Sequence, residues 1–142
     1  MRNVSQIIER KGGRVVAVTR DSPVLETIRV MAEHHIGAVL VMEGQQLIGI
    51  VSERDYARKV VLQGRSSADT PVAAIMSSPV VCVGPHDSIA ECMSIMTDKH
   101  IRHLPVIEAE RVVGVVSIGD LVKETIDEQK QEISLLQQYI AG

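Results

Sequence analysis

The sequence predicts an α/β (α+β) protein made of two copies of a strand–helix–strand–strand–helix unit, followed by a C-terminal helix. Three observations carry that expectation. Sliding the chain along itself by 65 positions aligns Val15–Lys59 with Val80–Glu124 without a gap, and 13 of the 45 pairs are identical, too many for unrelated segments. Inside each copy the apolar pattern switches between helical spacing and short continuous runs bounded by turn residues. Finally, there is no Phe and no Trp, and Tyr occurs only at Tyr56 and Tyr139. The core must then be Val, Ile, Leu, Ala and Met, which suits strands covered by helices.

The elements follow in order. A short first helix carries Val4, Ile7 and Ile8, and Lys11-Gly12-Gly13-Arg14 reads as the loop behind it. The first copy opens with a strand, Val15–Val18, and a turn. Its helix has Ser22 as cap, Pro23 at the first position and an apolar face of Val24, Ile28, Met31 and Ala32. Two apolar runs, Ala38–Met42 and Leu47–Val51, flank the polar turn Glu43-Gly44-Gln45-Gln46 and predict a hairpin. A second helix opens at Ser52, and Gln63–Thr70 is a loop.

The second copy repeats the plan. It has a strand at Val80–Val83, Asp87 as cap, and a helix face of Ile89, Met93, Ile95 and Met96. A hairpin of Leu104–Ile107 and Val112–Val116 turns at Glu108-Ala109-Glu110-Arg111, and a helix opens at Ser117. The chain therefore reads as one module, residues 1–142, with repeats at 15–59 and 80–124 and a terminal helix over 125–142. Units of this size are marginal alone, so the two are expected to share one core.

Along the last helix Val122, Ile126, Gln129, Ile133, Leu136 and Ile140 step by four and three, a heptad-like seam. It can lie on its own domain or pack across a homodimer.

Composition excludes several classes. Fifteen Lys and Arg against 18 Asp and Glu give a net charge of −3, which disfavours a broad nucleic-acid-binding surface, and the missing aromatics remove the usual stacking platforms for bases. No apolar run spans a membrane, and the charged start, Met1–Gly12, lacks the apolar centre of a secretion signal. Two cysteines, Cys82 and Cys92, are too few for a disulfide scaffold and read as small core residues of a cytoplasmic protein.

The chemistry-bearing feature is Gly-x-x-Ser-x-x-Asp, present twice. It spans Gly49, Ser52 and Asp55, and again Gly114, Ser117 and Asp120. Ser followed three residues later by an acid is a helix-opening signature, so capping alone accounts for it. The same geometry also serves a ligand, since a carboxylate beside a helix N-terminus can accept the hydroxyls of a ribose. Both readings stand at this point.

A tandem unit of this order, ending each time in Gly-h-h-Ser-x-x-Asp (h apolar), resembles the CBS motif, named after cystathionine beta-synthase. Ala74-Ile75-Met76-Ser77 resembles the lead-in to a second repeat, and His103-Leu104-Pro105-Val106-Ile107 resembles a stretch common in that family. The resemblance implies two repeats packed about a pseudo-twofold axis, with two clefts that bind adenosine nucleotides: AMP, ADP, ATP, NAD or S-adenosylmethionine. It implies that Asp55 and Asp120 hold ribose, with Ser52 and Ser117 nearby. Apolar strand residues would sandwich the adenine: Val16, Ile36, Ala38, Val81, Ile101 and Pro105, with Pro79 at the linker edge and Thr19 and Gly37 beside them. Arg102 and His103 would meet phosphate. The first repeat departs from this pattern, with Gly37 and Ala38 at those two positions and Arg54 where the second has Gly119.

Other constellations carry less. His100 and His103 have no third ligand at metal spacing, and His34 and His35 suit a helix end. No nucleophile–base pair, Walker A loop or G-x-G-x-x-G run is present. The expected function is that of a regulatory adenosine-nucleotide sensor rather than an enzyme. It has no catalytic cofactor or metal, and it acts in trans on an effector protein. A dimerisation module with vestigial clefts is the alternative.

Overall fold

The structure, a computed structural model, describes residues 2–141. It divides into two compact units, one formed by residues 15–81 and the other joining residues 1–14 to 82–142.

The continuous unit holds the first repeat. Strand β1 (Ala17–Val18) runs parallel to β2 (Ala38–Glu43), which pairs antiparallel with β3 (Gln46–Ser52). The hairpin closes through two residues, and Gly44 supplies the positive φ that such a turn needs. Helix α2 (Val24–His34) buries Val24, Thr27 and Met31, a three-then-four spacing. Ala32 is exposed, so the expected face is rotated onto Thr27, whose hydroxyl is satisfied by the Pro23 carbonyl at 3.2 Å. Pro23 occupies the cap position, and the Ser22 hydroxyl instead accepts the Thr19 N–H. The second helix of this repeat is a single turn, α3 (Glu53–Tyr56), continued by a π-helical turn, Ala57–Val61. Val24, Met31, Val39, Val41, Val51, Val60, Val72 and Ile75 form a buried cluster drawn wholly from residues 15–81. This repeat buries a core cluster of its own.

The other unit begins with α1 (Val4–Lys11), capped by Asn3 and ended by Gly12 in the left-handed region. Helix α4 (Ile89–Lys99) buries Ile89, Cys92 and Met96, while Met93 and Ile95 are only half-buried. Its cap is Ser88, one residue later than expected, because the Asp87 carboxylate accepts the Gly84 N–H at 2.7 Å. Cys82 is exposed, against the expectation that both cysteines are core. Strands β4 (His103–Glu108) and β5 (Arg111–Ser117) form the hairpin, turning through Ala109 and Glu110, both at positive φ. The expected strand over Val80–Val83 is reduced to a single bridge between Val83 and Val106. The reason is chemical: in the first repeat Leu40 donates its N–H to Val16, and the corresponding residue here is Pro105, which has none to donate.

Helix α5 (Ile118–Ala141) buries Leu121 and Glu124 in its first turns. Beyond Glu128 every described residue is exposed, including Ile133 (55%), Leu136 (61%) and Ile140 (82%). The seam therefore does not lie on its own unit.

Each unit takes in the segment that precedes the other repeat in sequence. Val4 donates to the Asp87 carbonyl at 3.0 Å and Ile89 donates to that of Arg2, and Val4 and Ile7 are fully buried. In the continuous unit Val72 donates to the Ser22 carbonyl and Val24 to that of Thr70, both at 2.8 Å, with Val72 and Ile75 fully buried. The segment Ala74–Ser77, expected as the lead-in to the second repeat, packs with the first.

Candidate functional site

Each Gly-x-x-Ser-x-x-Asp motif lies where the last strand of its repeat gives way to a helix. The motif glycine is needed because another element presses on it. A Cβ on Gly49 would meet Met76, whose Cγ would be 2.8 Å away, and a Cβ on Gly114 would lie 2.5 Å from Ile8 Cδ1.

In the first repeat the Ser52 hydroxyl accepts the Asp55 N–H at 3.2 Å, while Asp55 Oδ2 accepts the Ser52 N–H at 2.9 Å and its hydroxyl at 3.1 Å. Asp55 Oδ1 pairs with Lys59 Nζ at 3.1 Å, and Lys59 also donates to the Ile75 carbonyl. Glu53 donates to the Gly37 carbonyl at 3.0 Å, and Ala38 pairs with Ser52 across the hairpin. Gly37, Ala38, Ser52 and Asp55 are thus brought together by the hairpin register, with Arg54 on the same helical turn.

The second repeat repeats the cap. Asp120 Oδ2 accepts the Ser117 N–H at 2.8 Å, and the Ser117 hydroxyl accepts the Asp120 N–H at 3.2 Å. Here the cation comes from elsewhere: Lys11, the last residue of α1, donates to Asp120 Oδ2 and to the Val115 carbonyl, both at 2.8 Å. Ile118 donates to the Arg102 carbonyl at 2.9 Å, and His103 pairs with Ser117. Arg102, His103, Ser117 and Asp120 therefore share one end of the hairpin. Burial would raise the Asp120 carboxyl, but hydrogen bonds from Lys11 and Ser117 outweigh it and hold the group below its ordinary value. Burial, then the Lys11 charge, pushes the His103 imidazole down, with Asp120 opposing and Arg102 adding to the effect.

The remaining candidates are placed as follows. Val16 and Ile36 are half-buried against the core of the first repeat. Thr19 stands at the far end of β1, in a turn with Ser22, and is not brought to Asp55. Pro79 is exposed and Val81 half-buried. Ile101 is half-buried behind α4, and Pro105 is buried in β4, where its carbonyl accepts the Val83 N–H. Capping, one of the two readings left open by the sequence, is realised at both motifs. Their carboxylates keep partial exposure, 16% for Asp55 and 21% for Asp120.

Sequence reasoning missed Lys11. It was read as loop, although Gly12 as a helix-ending glycine behind Arg10 and Lys11 would have placed it in the last turn of α1. Among the described residues no group of His, Cys, Asp and Glu is arranged to hold a metal ion, and no helix is long and apolar enough to cross a membrane.

The family model described as CBS domain matches residues 4–62 and 72–127. This chain belongs to the CBS-domain family. Both matched segments include the lead-in helices as well as the repeats. Among similar CBS-domain proteins, the CBS domain-containing protein CBSX3, mitochondrial, of Arabidopsis thaliana is 38% identical over 148 residues, covering 98% of this chain and 72% of its own. A CBS-domain protein from Burkholderia ambifaria MC40-6 has a solved structure that superposes with a TM-score of 0.86 at 47% identity, covering 90% of this chain and 96% of that one. The CBS domain protein PAE2072 from Pyrobaculum aerophilum, solved in complex with AMP, superposes with a TM-score of 0.74 at 26% identity, covering 84% of this chain and 89% of that one.

Proposed function

We propose that this CBS-domain chain is a regulatory sensor that binds adenosine nucleotides of the AMP, ADP, ATP or NAD type at its Ser-x-x-Asp turns. It acts by binding, not catalysis, and signals to an effector protein in trans. The observation that carries the reading is the pair of partly exposed carboxylates, Asp55 and Asp120, each held in a fixed orientation by its serine at the opening of a helix. A carboxylate held this way is ready to accept ribose hydroxyls at little ordering cost. The AMP complex of the Pyrobaculum relative supports the ligand class. Two cysteines, too few for a disulfide scaffold, are in keeping with a compartment where thiols stay reduced, and we propose the cytoplasm.

The test is a thermal-shift panel on protein stripped of bound nucleotide. AMP, ATP or NAD at a hundred times its dissociation constant should add about 2.7 kcal/mol, several degrees in Tm, while cytidine and uridine nucleotides leave it unchanged. No shift with any adenosine compound at millimolar concentration sinks the reading. A dimerisation module is the second reading, favoured by one observation: the first repeat carries Gly37 and Ala38 where the second carries Arg102 and His103.

A further inference from the structure

The two motif carboxylates each meet one lysine, but the lysines come from different elements, and their surroundings differ in charge. Lys59 belongs to the same helical segment as Asp55, four residues on. At the matching position the second repeat has Glu124, which cannot play that part. Lys11 of α1 takes the place instead, reaching Asp120 across the end of β5.

An ammonium group has three donors, and Lys11 spends two of them on Asp120 and the Val115 carbonyl. Its side chain is 41% exposed, so the remaining donor can reach a ligand. Around it stand Arg102, exposed at the head of β4, and His103, paired with Ser117. The His103 imidazole feels the charges of Lys11, Asp120 and Arg102 together, which places all four groups in one neighbourhood. With Asp120 the only anion of that set, the neighbourhood is net positive. The corresponding neighbourhood in the first repeat has Gly37 and Ala38 in place of Arg102 and His103, Glu53 in place of Ile118 and Arg54 in place of Gly119. Its cations, Lys59 and Arg54, are matched by Asp55 and Glu53, so it has no such excess.

We propose that Lys11, carried in on the N-terminal helix, is the phosphate-facing cation of the second repeat's site, making that site select phosphorylated over unphosphorylated adenosine compounds. The proposal rests on the nucleotide reading above. Asp120 fixes the lysine beside the carboxylate that would meet the ribose, at the hairpin end that also carries Arg102 and His103. A lysine that only anchors α1 is the competing role, and it makes a different prediction. Loosening α1 would weaken every ligand alike, whereas losing a phosphate partner weakens only ligands that have the phosphate.

The experiment is calorimetric titration of the full chain with AMP and with adenosine, on the unaltered protein, Lys11→Met and Lys11→Arg, each checked for cooperative unfolding. Lys11→Met should weaken AMP about tenfold while changing adenosine little, and Lys11→Arg should keep most of the AMP preference. Equal weakening of AMP and adenosine in Lys11→Met, or no change in either, overturns the role of Lys11 and leaves the nucleotide reading intact. Unaltered protein that binds neither compound overturns both.

Discussion

Arg10 of α1 reaches into the fold to meet Glu124 of α5, its Nη1 lying 2.8 Å from Oε2 as an ion pair without hydrogen-bond alignment. Arg2 holds the other oxygen of the same carboxylate at 2.8 Å with a full hydrogen bond, and Glu124 is nearly inaccessible to solvent. The residue that matches Glu124 in the first repeat is Lys59, so one position has opposite charge in the two units. Arg2, just ahead of α1, and Arg10 and Lys11, in its last turn, make up the difference.

Removing Glu124 should therefore cost far more than removing Lys59. Glu124→Ala strands two arginines and should destabilise by about 3 kcal/mol, the lower end for breaking a buried pair, because Arg10 is partly exposed. Lys59→Ala removes a partly exposed pair and the bond to the Ile75 carbonyl and should cost about 1 kcal/mol. Urea unfolding of both variants checks this, and similar costs would refute it.

The motif glycines make a second contrast. Gly49→Ala forces the whole Met76 side chain to move, since its Cβ as well as its outer atoms crowd the new methyl. Gly114→Ala meets mainly Ile8 Cδ1, a terminal atom that a change of rotamer can withdraw. Overpacking costs about 1–3 kcal/mol, and Gly49→Ala should fall near the top of that range and Gly114→Ala near the bottom. Thermal melts of the two variants in parallel give the order.

Asp55→Asn and Asp120→Asn separate capping from ligand binding. Each should cost a few tenths to about 1 kcal/mol of stability, because asparagine still accepts the serine N–H but no longer pairs with lysine. If ribose is held there, nucleotide affinity should fall ten- to a hundredfold, about 1.5–3 kcal/mol. Calorimetry that finds affinity unchanged in both variants reduces the motif to a helix cap.

From Ile126 onward α5 leaves Ile126, Ile133, Leu136 and Ile140 exposed on one stripe. Burying such a stripe against a second copy removes the apolar surface from water, and we expect a homodimer on that ground. Light scattering should give twice the 15.5 kDa chain mass, and deletion of the residues after Gln129 should give the monomer. A truncated chain that dimerises as well as the full one locates the interface elsewhere.

Much of this was legible because patterning and duplication act over many residues. The hairpins came from runs such as Ala38–Met42, the helix openings from serine three residues ahead of an acid, and the repeat from a gapless alignment. The misses were local. The cap moved from Asp87 to Ser88 because the Asp87 carboxylate is taken up by the Gly84 N–H. The strand over Val80–Val83 shortened because Pro105, two elements later in the chain, has no N–H. Lys11 could not be assigned to Asp120 from sequence, since 109 residues separate them and only the fold brings them together.

Residues 15–81 complete their unit from uninterrupted chain, whereas the first fourteen residues belong with the last sixty-one. On the ribosome, then, residues 1–14 emerge before the first repeat yet find their place after it. The first repeat can close as soon as residue 81 is out, while α1 waits for β5 and α5 to be made. The closure entropy grows only with the logarithm of the intervening length, so the arrangement costs little at equilibrium and sets mainly the sequence of events. Docking of Arg2, Arg10 and Lys11 onto α5 and Asp120 thus waits for the second repeat: the candidate site at Asp120 acquires its lysine only once the chain has been translated through both repeats.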